Sequence, residues 1–526
     1  MLGLELVVAL GVAVLVCTLL GRRLRVAPPV LLLLAGVLLG FVPALREVHL
    51  PPEAVLLLFL PALLYWESLT TSLREIRSNL RGIMLMSTVL VIVTAGAVAA
   101  VAHAFGLPWG PAWVLGAAIA PTDATAVGVL ARTLPRRYVT ALRAESLIND
   151  GTALVVYGLA VGITVGQEHL SVPHVAGLFL VAYGGGAAIG AITAWAGEQA
   201  RRLLDDPLLE NVVMLLIPFT AFLLAELVHA SGVLAVVVSG LIISQVGPRV
   251  GRAAMRRQAQ ASWTLATFLL NGSLFVLVGL EARSAVGNLT SDDLTHALIV
   301  VAVVSAVLVA VRLVFLFVTV YLIRLIDRRP QQRLRRVSNR SRVVSGIAGF
   351  RGAVSMAAAL AIPRALDSGV PFPDRDLIVF VTAGVIAVTL LQALLLPGVV
   401  RWARLPRDVE LDRERCLAQT LATEEALAAL PRIAAELDTE PQLVDRLRRE
   451  YEEHLLVLRA GGADADEEPA RLNEQYTALR LAVLAHKRSI VLGLRDQRRI
   501  DDTVLREVQA LLDNEEIRLS RPEEID

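Results

Sequence analysis

Residues 119–127 read IAPTDATAV, which sets a proline, a threonine and an aspartate in the middle of an apolar run long enough to cross a membrane. Proline has no backbone N–H to donate, so a helix entering this run ends near Pro121, and Thr122 and Asp123 are side chains that cap the start of a new one. Unwound backbone is tolerated in lipid only where it lines a cavity. The stretch therefore predicts two half-helices that meet at a polar site inside a bilayer.

The rest of the chain fits that setting. Of 526 residues 55% are hydrophobic, and the mean hydropathy is +0.63, far from the soluble average. The formal net charge of +1 gives no reason to expect a nucleic-acid partner. Cys17 lies in an apolar run and Cys416 in a charged stretch, so neither a disulfide nor a metal motif is indicated. The first apolar run is followed by GRRLR (21–25) without a small-residue cleavage signature, which reads as a retained span rather than a signal peptide. The sole lysine is Lys487, so the phosphate loop of an ATP-driven pump is excluded.

Thirteen apolar segments follow one another at about 2–20, 27–43, 54–72, 82–105, 111–130, 144–166, 173–197, 210–228, 230–246, 262–282, 295–323, 345–363 and 377–400. Most reach the ~20 residues a helical span needs. Loops after odd-numbered segments carry two to eight arginines, and loops after even-numbered ones none to two. Arginine-rich short loops stay on the cytoplasmic side, so the N-terminus is expected outside and the C-terminus in the cytoplasm of a multi-pass plasma (inner) membrane protein.

Segments 5 and 12 are the interrupted ones. Segment 12, SGIAGFRGAVSMAAALAIP (345–363), places Gly349, Arg351 and Gly352 where segment 5 has its Pro-Thr-Asp. An offset of seven segments is odd, so the two copies enter the membrane from opposite sides, as inverted-topology repeats of secondary transporters do. The expected fold is an all-α membrane protein of thirteen transmembrane helices in two inverted repeats, 1–6 and 8–13, with crossed broken helices 5 and 12. Where the breaks cross, Arg351 is expected to compensate Asp123 and the C-terminal dipole of a half-helix.

Segment 6 opens with AESLINDGTALVVYG (144–158). Helical spacing stacks Ser146 over Asp150 and Glu145 over Asn149. Acids inside a span cost at least ~2.5–3.5 kcal/mol each on insertion scales and mark ion paths or proton relays. Asp150 is the deeper of the two and has a hydroxyl and an amide nearby, a natural oxygen set for a small hard cation.

Taken together, ESLIND (145–150) followed by GTA (151–153), PTDATAV (121–127) and GFRGAVSMAAALAIP (349–363) resemble the monovalent cation:proton antiporter-1 family, in its bacterial sodium/proton exchanger (NhaP-like) branch, over roughly residues 1–405. The resemblance implies that Asp150 carries the transported ion with Asn149 as its neighbour. It implies that Asp150, Ser146 and an oxygen of Thr122 ligate sodium, and that Glu67 of LYWESL (64–69) matches an acid that contributes in some members. It also implies a buried structural ion pair between Glu145 and Arg312, the one charge in the interior of segment 11. For Asp123 the reading that competes with ion binding is a capping carboxylate. For Glu67 it is a salt bridge to Arg74 or Arg77.

The expected activity is secondary antiport of protons against sodium, or lithium, by alternating access and without net charge movement. Potassium/proton antiport by the same mechanism is the alternative, with a passive cation channel behind it. An enzyme is not expected, no cofactor is implied beyond the transported ions, and a homodimer is. Residues 1–404 would form the exchanger. Residues 405–526, with apolar residues at helical spacing between charges, would form a cytoplasmic helical domain that regulates or supports the dimer.

Overall fold

The computed structural model describes residues 2–24, 26–42, 52–123, 136–166, 172–250, 253–287, 291–326, 338–404, 409–460, 467–497, 499 and 501–519. The chain divides into two compact units, Met1–Pro406 and Arg407–Asp526. Both are helical, and no sheet occurs among the described residues.

In the first unit the helices are α1 (Leu2–Leu24), α2 (Pro28–Leu39), α3 (Pro52–Thr70), α4 (Leu73–Met84), α5 (Leu90–Ala104), α6 (Trp109–Ile119), α7 (Arg136–Val165), α8 (Val172–Leu180), α9 (Gly186–Arg202), α10 (Pro207–Leu227), α11 (Gly232–Val250), α12 (Ala253–Gly287), α13 (Ser291–Ile326), α14 (Asn339–Ile347), α15 (Ala353–Leu360), α16 (Arg375–Gln392) and α17 (Leu396–Ala403). A π turn over Leu85–Val89 joins α4 to α5, and a second over Val181–Gly185 joins α8 to α9. Several starts are chemically marked. Prolines open α2, Ser72 caps α4 in a Ser-x-x-Glu box with Glu75, and Asp206 caps α10 ahead of Pro207.

Among the described residues eight helices are long and apolar enough to cross a membrane, and four shorter apolar ones accompany them. Each of the thirteen apolar segments contains helix among its described residues, segments 5 and 12 with a non-helical stretch, and residue 43 of segment 2 and residues 124–130 of segment 5 lie outside the described set. The helices overrun the sequence limits at polar ends: α4, α7, α12 and α14 begin well before their apolar runs. Hydropathy stops at the first charges, whereas a helix continues into the interfacial layer where arginine side chains reach water.

Packing follows an internal exchange. Segment 2 (α2) packs on segment 10 (α12), and segment 9 (α11) on segment 3 (α3). Segment 1 (α1) packs on 10 and segment 8 (α10) on 3, while 5 (α6) meets 6 (α7) as 12 (α15) meets 13 (α16). Swapping segments 1–6 with 8–13 turns each contact into its counterpart, which is the signature of inverted repeats. The α2/α12 crossing is close because Gly36 and Gly279 face each other there, and a Cβ on either would overlap carbonyl oxygen of the opposite helix.

Apolar burial forms two main cores. One gathers α3, α9, α10 and α11 with Met255, Ala259 and Trp263 at the start of α12. The other joins α1, α2 and the later part of α12 to α5, α6 and α13–α17. Helix α7 contributes Leu142 and Ala160 to the second core and Leu147 to the first, so it runs along the seam between them.

The C-terminal unit is made of α18 (Val409–Glu436), α19 (Pro441–Ala460), α20 (Glu467–Asp496) and α21 (Asp502–Leu519). They form two hairpins. Arg459 bonds Glu424 at 2.7 Å in one, and in the other Arg480 bonds Glu515 at 2.8 Å while Leu484, Leu505 and Leu512 are buried.

Candidate ion-exchange site

Two interrupted helices meet inside the first unit. Helix α6 ends at Ile119, and residues 120–123 are non-helical. Helix α14 ends at Ile347, the chain is open over 348–352, and α15 begins at Ala353. The openings touch: the Asp123 N–H donates to the Phe350 carbonyl at 2.9 Å. A Cβ on Gly352 would overlap the Asp123 carboxylate, so only glycine lets the strands come this near.

Arg351 fastens the crossing. Its Nε donates to the carbonyl of Ile119, the last residue of α6, at 3.1 Å, and its Nη1 to the Gly349 carbonyl at 2.6 Å. Terminal carbonyls of a helix have no partner within it and carry the negative end of its dipole, so a buried guanidinium there satisfies both needs. Arg375 does the same at the end of α15, donating to Leu360 and Ile362 carbonyls at 3.1 and 3.0 Å.

Helix α7 presents Glu145, Ser146, Asn149 and Asp150 to this crossing, all at most 6% exposed. Glu145 and Arg312 of α13 form a bidentate pair, Nη1 to Oε1 at 2.6 Å and Nη2 to Oε2 at 3.2 Å, and Arg312 Nε donates to the Ser345 carbonyl at 3.0 Å. The Asn149 amide donates to Thr122 Oγ1 at 2.8 Å and, at a longer 3.4 Å, to the Thr122 carbonyl. The Thr122 hydroxyl in turn donates to Glu145 Oε1 at 3.5 Å. These bonds make one chain, Arg312–Glu145–Thr122–Asn149, that ties α7 and α13 to the break after α6. A small cavity lies along it, bordered by Thr94, Thr122, Glu145, Asn149, Arg312 and Arg351. Asn149 Oδ1 is buried without a donor.

Asp150 stands outside that chain. It is 4% exposed, and among the described residues its carboxylate has neither a hydrogen bond nor an ion pair. Asp123 and Glu67 are the charges that act on it most strongly. Glu67, half-buried on α3, feels Asp123 and Arg143 above others, so the basic group acting most on it is on α7 and is neither Arg74 nor Arg77. Asp123, in the break itself, thus acts together with Glu67 on Asp150, while Glu145 is bound to its arginine.

Of the site residues named from sequence, Thr122, Asp123, Glu145, Asn149, Arg312 and Arg351 meet at this crossing, Ser146 and Asp150 lie beside them on α7, and Glu67 lies on α3. Arg143, Arg375 and Thr152 were not among them. Arg143 precedes Glu145 by two residues and could have been found from its charge within an apolar setting. Nothing local marks Arg375 as a cap for a helix fifteen residues earlier.

Comparison with known proteins places this geometry. The family described as "Sodium/hydrogen exchanger, transmembrane" matches residues 11–402. An uncharacterised Na+/H+ exchanger of Mycobacterium tuberculosis is 49% identical over 524 residues, 99% of this chain and 97% of that protein. The Na+/H+ antiporter ApNhaP of Aphanothece halophytica is 30% identical over 441 residues, 82% of this chain and 79% of its own. The sodium proton antiporter MjNhaP1 of Methanocaldococcus jannaschii superposes with a TM-score of 0.58 at 19% identity, over 77% of this chain and 99% of that one, a likeness of fold. The match spans both interrupted helices and the acids between them, and this integral membrane chain belongs to the sodium/hydrogen exchanger family of transporters.

Proposed function

We propose that the protein exchanges protons for sodium, or lithium, by competition at the Asp150 carboxylate. One observation carries the reading: a buried acid without a hydrogen-bond or ion-pair partner among the described residues, beside two crossed helix breaks. An ionised carboxylate in that position is costly, so it holds a proton or a cation, and the loaded site is neutral in either form. Ser146 and an oxygen of Thr122 are suited to complete a sodium shell, since hydroxyl and carbonyl oxygens keep a lone pair beyond one accepted hydrogen bond. Asp123 and Glu67 add negative potential that draws the cation in. Glu145, held by Arg312, and Asn149, which has no titrating group, keep their charge through the cycle, so exchange is electroneutral. Alternating access moves segments 4–6 and 11–13 against the remaining scaffold, which supplies a homodimer contact. The N-terminus faces outward, and the C-terminal unit is cytoplasmic and modulates transport or supports the dimer.

The test is flux in proteoliposomes with sodium, lithium or potassium. Asp150→Asn should insert and elute as the parent does yet exchange none of them, and exchange retained in that variant removes the assignment. The parent should run at one rate with and without a valinomycin-set potential, since a moving charge would feel ~2.3 kcal/mol per 100 mV. Potassium preferred over sodium would favour the alternative selectivity, and cation flux uncoupled from protons would favour a channel.

A further inference from the structure

Both π turns of the first unit converge on one side chain. Thr152, fully buried on α7, donates to the carbonyl of Ser87, in the turn between α4 and α5, at 2.7 Å. Its hydroxyl also meets that of Tyr183, in the turn between α8 and α9, through a short hydrogen bond. A π turn takes up one extra residue and displaces carbonyls from the regular ladder, so it offers bonding groups that an α-helix keeps to itself. The second turn is held from the other side as well: the Ala182 carbonyl accepts from the Ser231 N–H, just ahead of α11, at 3.2 Å. Adjacent residues of the connector therefore grip α7 through Tyr183 and the start of α11 through Ala182.

Thr152 follows Asp150 by two residues, about 200° around the helix, so it pulls on α7 from the side opposite the carboxylate. A hydroxyl held at that point sets the rotation and depth of α7, and with them the place where Asp150 meets the break after α6. Binding geometry has to hold to within about 0.5 Å to be productive. We propose that Thr152, clamped between Ser87 and Tyr183, is a positioning residue for the cation site. This rests on the assignment of Asp150 as the ion-carrying group.

The experiment compares Thr152→Val, Thr152→Ser and Tyr183→Phe with the parent and Asp150→Asn in proteoliposomes, reading apparent KM for sodium and maximal rate separately. Valine keeps the shape and removes the hydroxyl, and should raise KM about fivefold, the factor that one neutral hydrogen bond carries, with the maximal rate within about twofold of the parent. Serine restores the hydroxyl and should restore KM. Tyr183→Phe should raise KM in the same direction by less, and it decides the matter if the valine variant fails to insert. Parental KM in Thr152→Val and Tyr183→Phe overturns the positioning role, as does a serine variant as impaired as the valine one, or a loss confined to maximal rate. An inactive Asp150→Asn beside such results leaves the ion-site assignment standing, whereas an active Asp150→Asn takes down both.

Discussion

Arg312 and Arg488 make nearly the same bonds in opposite surroundings. Arg312 holds Glu145 at 2.6 and 3.2 Å with both side chains at most 8% exposed. Arg488 of α20 holds Asp513 and Glu516 of α21 at 2.5 Å each, with side-chain exposures of 31%, 56% and 42%. Geometry alone would rank the second above the first. What separates them is the cost of losing one partner. In the C-terminal unit water solvates whatever is left, while inside the first unit a remaining charge keeps a neutral hydrogen-bond partner but loses its countercharge away from water. The contrast extends along α7 itself: Glu145 and Asp150 are both buried, and among the described residues only Glu145 has an ion-pair partner.

The largest expected effect breaks the buried pair. Arg312→Ala and Glu145→Ala should each lose about 3–5 kcal/mol, seen as a lower Tm in detergent, and the double variant should lose less than either. A double-variant loss equal to the sum of the two single losses would erase the contrast, because the charges would then be independent. Next comes the crossing. Gly352→Ala drives a Cβ into the Asp123 carboxylate and should cost about 1–3 kcal/mol together with a fall in exchange rate, whereas Gly398→Ala, with nothing within 4 Å of the added carbon, should change neither. Smallest of all is Arg488→Ala, whose shift in Tm should shrink in about 1 M salt as screening removes the exposed interaction, while the Arg312→Ala deficit persists there. A salt-insensitive loss at Arg488 would put that cluster in the same class as the buried pair.

Acidity separates the regions less than salt does. Hydrogen bonds to Glu516 and then Asp513 raise Arg488 above its ordinary value. A raised basic group contributes stability that is complete below its ordinary pKa and is lost only as pH climbs through the folded value. For arginine that window lies above the range in which proteins are handled, so this contribution is flat at neutral pH.

Much of the architecture was legible because its signals are local. Pro121 stops a helix wherever it stands, arginines sort to one side loop by loop, and an odd offset between the interruptions at Pro121 and Gly349–Gly352 implies inversion. Limits were less legible where hydropathy and helix diverge, as at the polar first turns of α4 and α7. Within the site, the ESLIND and GFRG motifs pointed by resemblance to residues that pack near one another, but they did not say which hydrogen bonds those residues would make. The Thr122 hydroxyl accepts from the Asn149 amide and donates to Glu145, a linkage between α7 and the break after α6 that no local pattern announces.

By itself, then, the sequence determined that this chain is a bundle of membrane helices with two interruptions, an acid-bearing helix between them and a charged helical C-terminal unit. Each of these follows from composition, period and propensity within some twenty residues. The tertiary structure supplied the contacts behind two expectations, Arg351 closing the end of α6, 232 residues away, and Arg312 reaching Glu145 across 167, and it alone decided that two π turns meet on Thr152. The reason is that a polar group in a bilayer must find its partner inside the protein, and which partner it finds depends on how distant helices pack, a matter on which local pattern is silent.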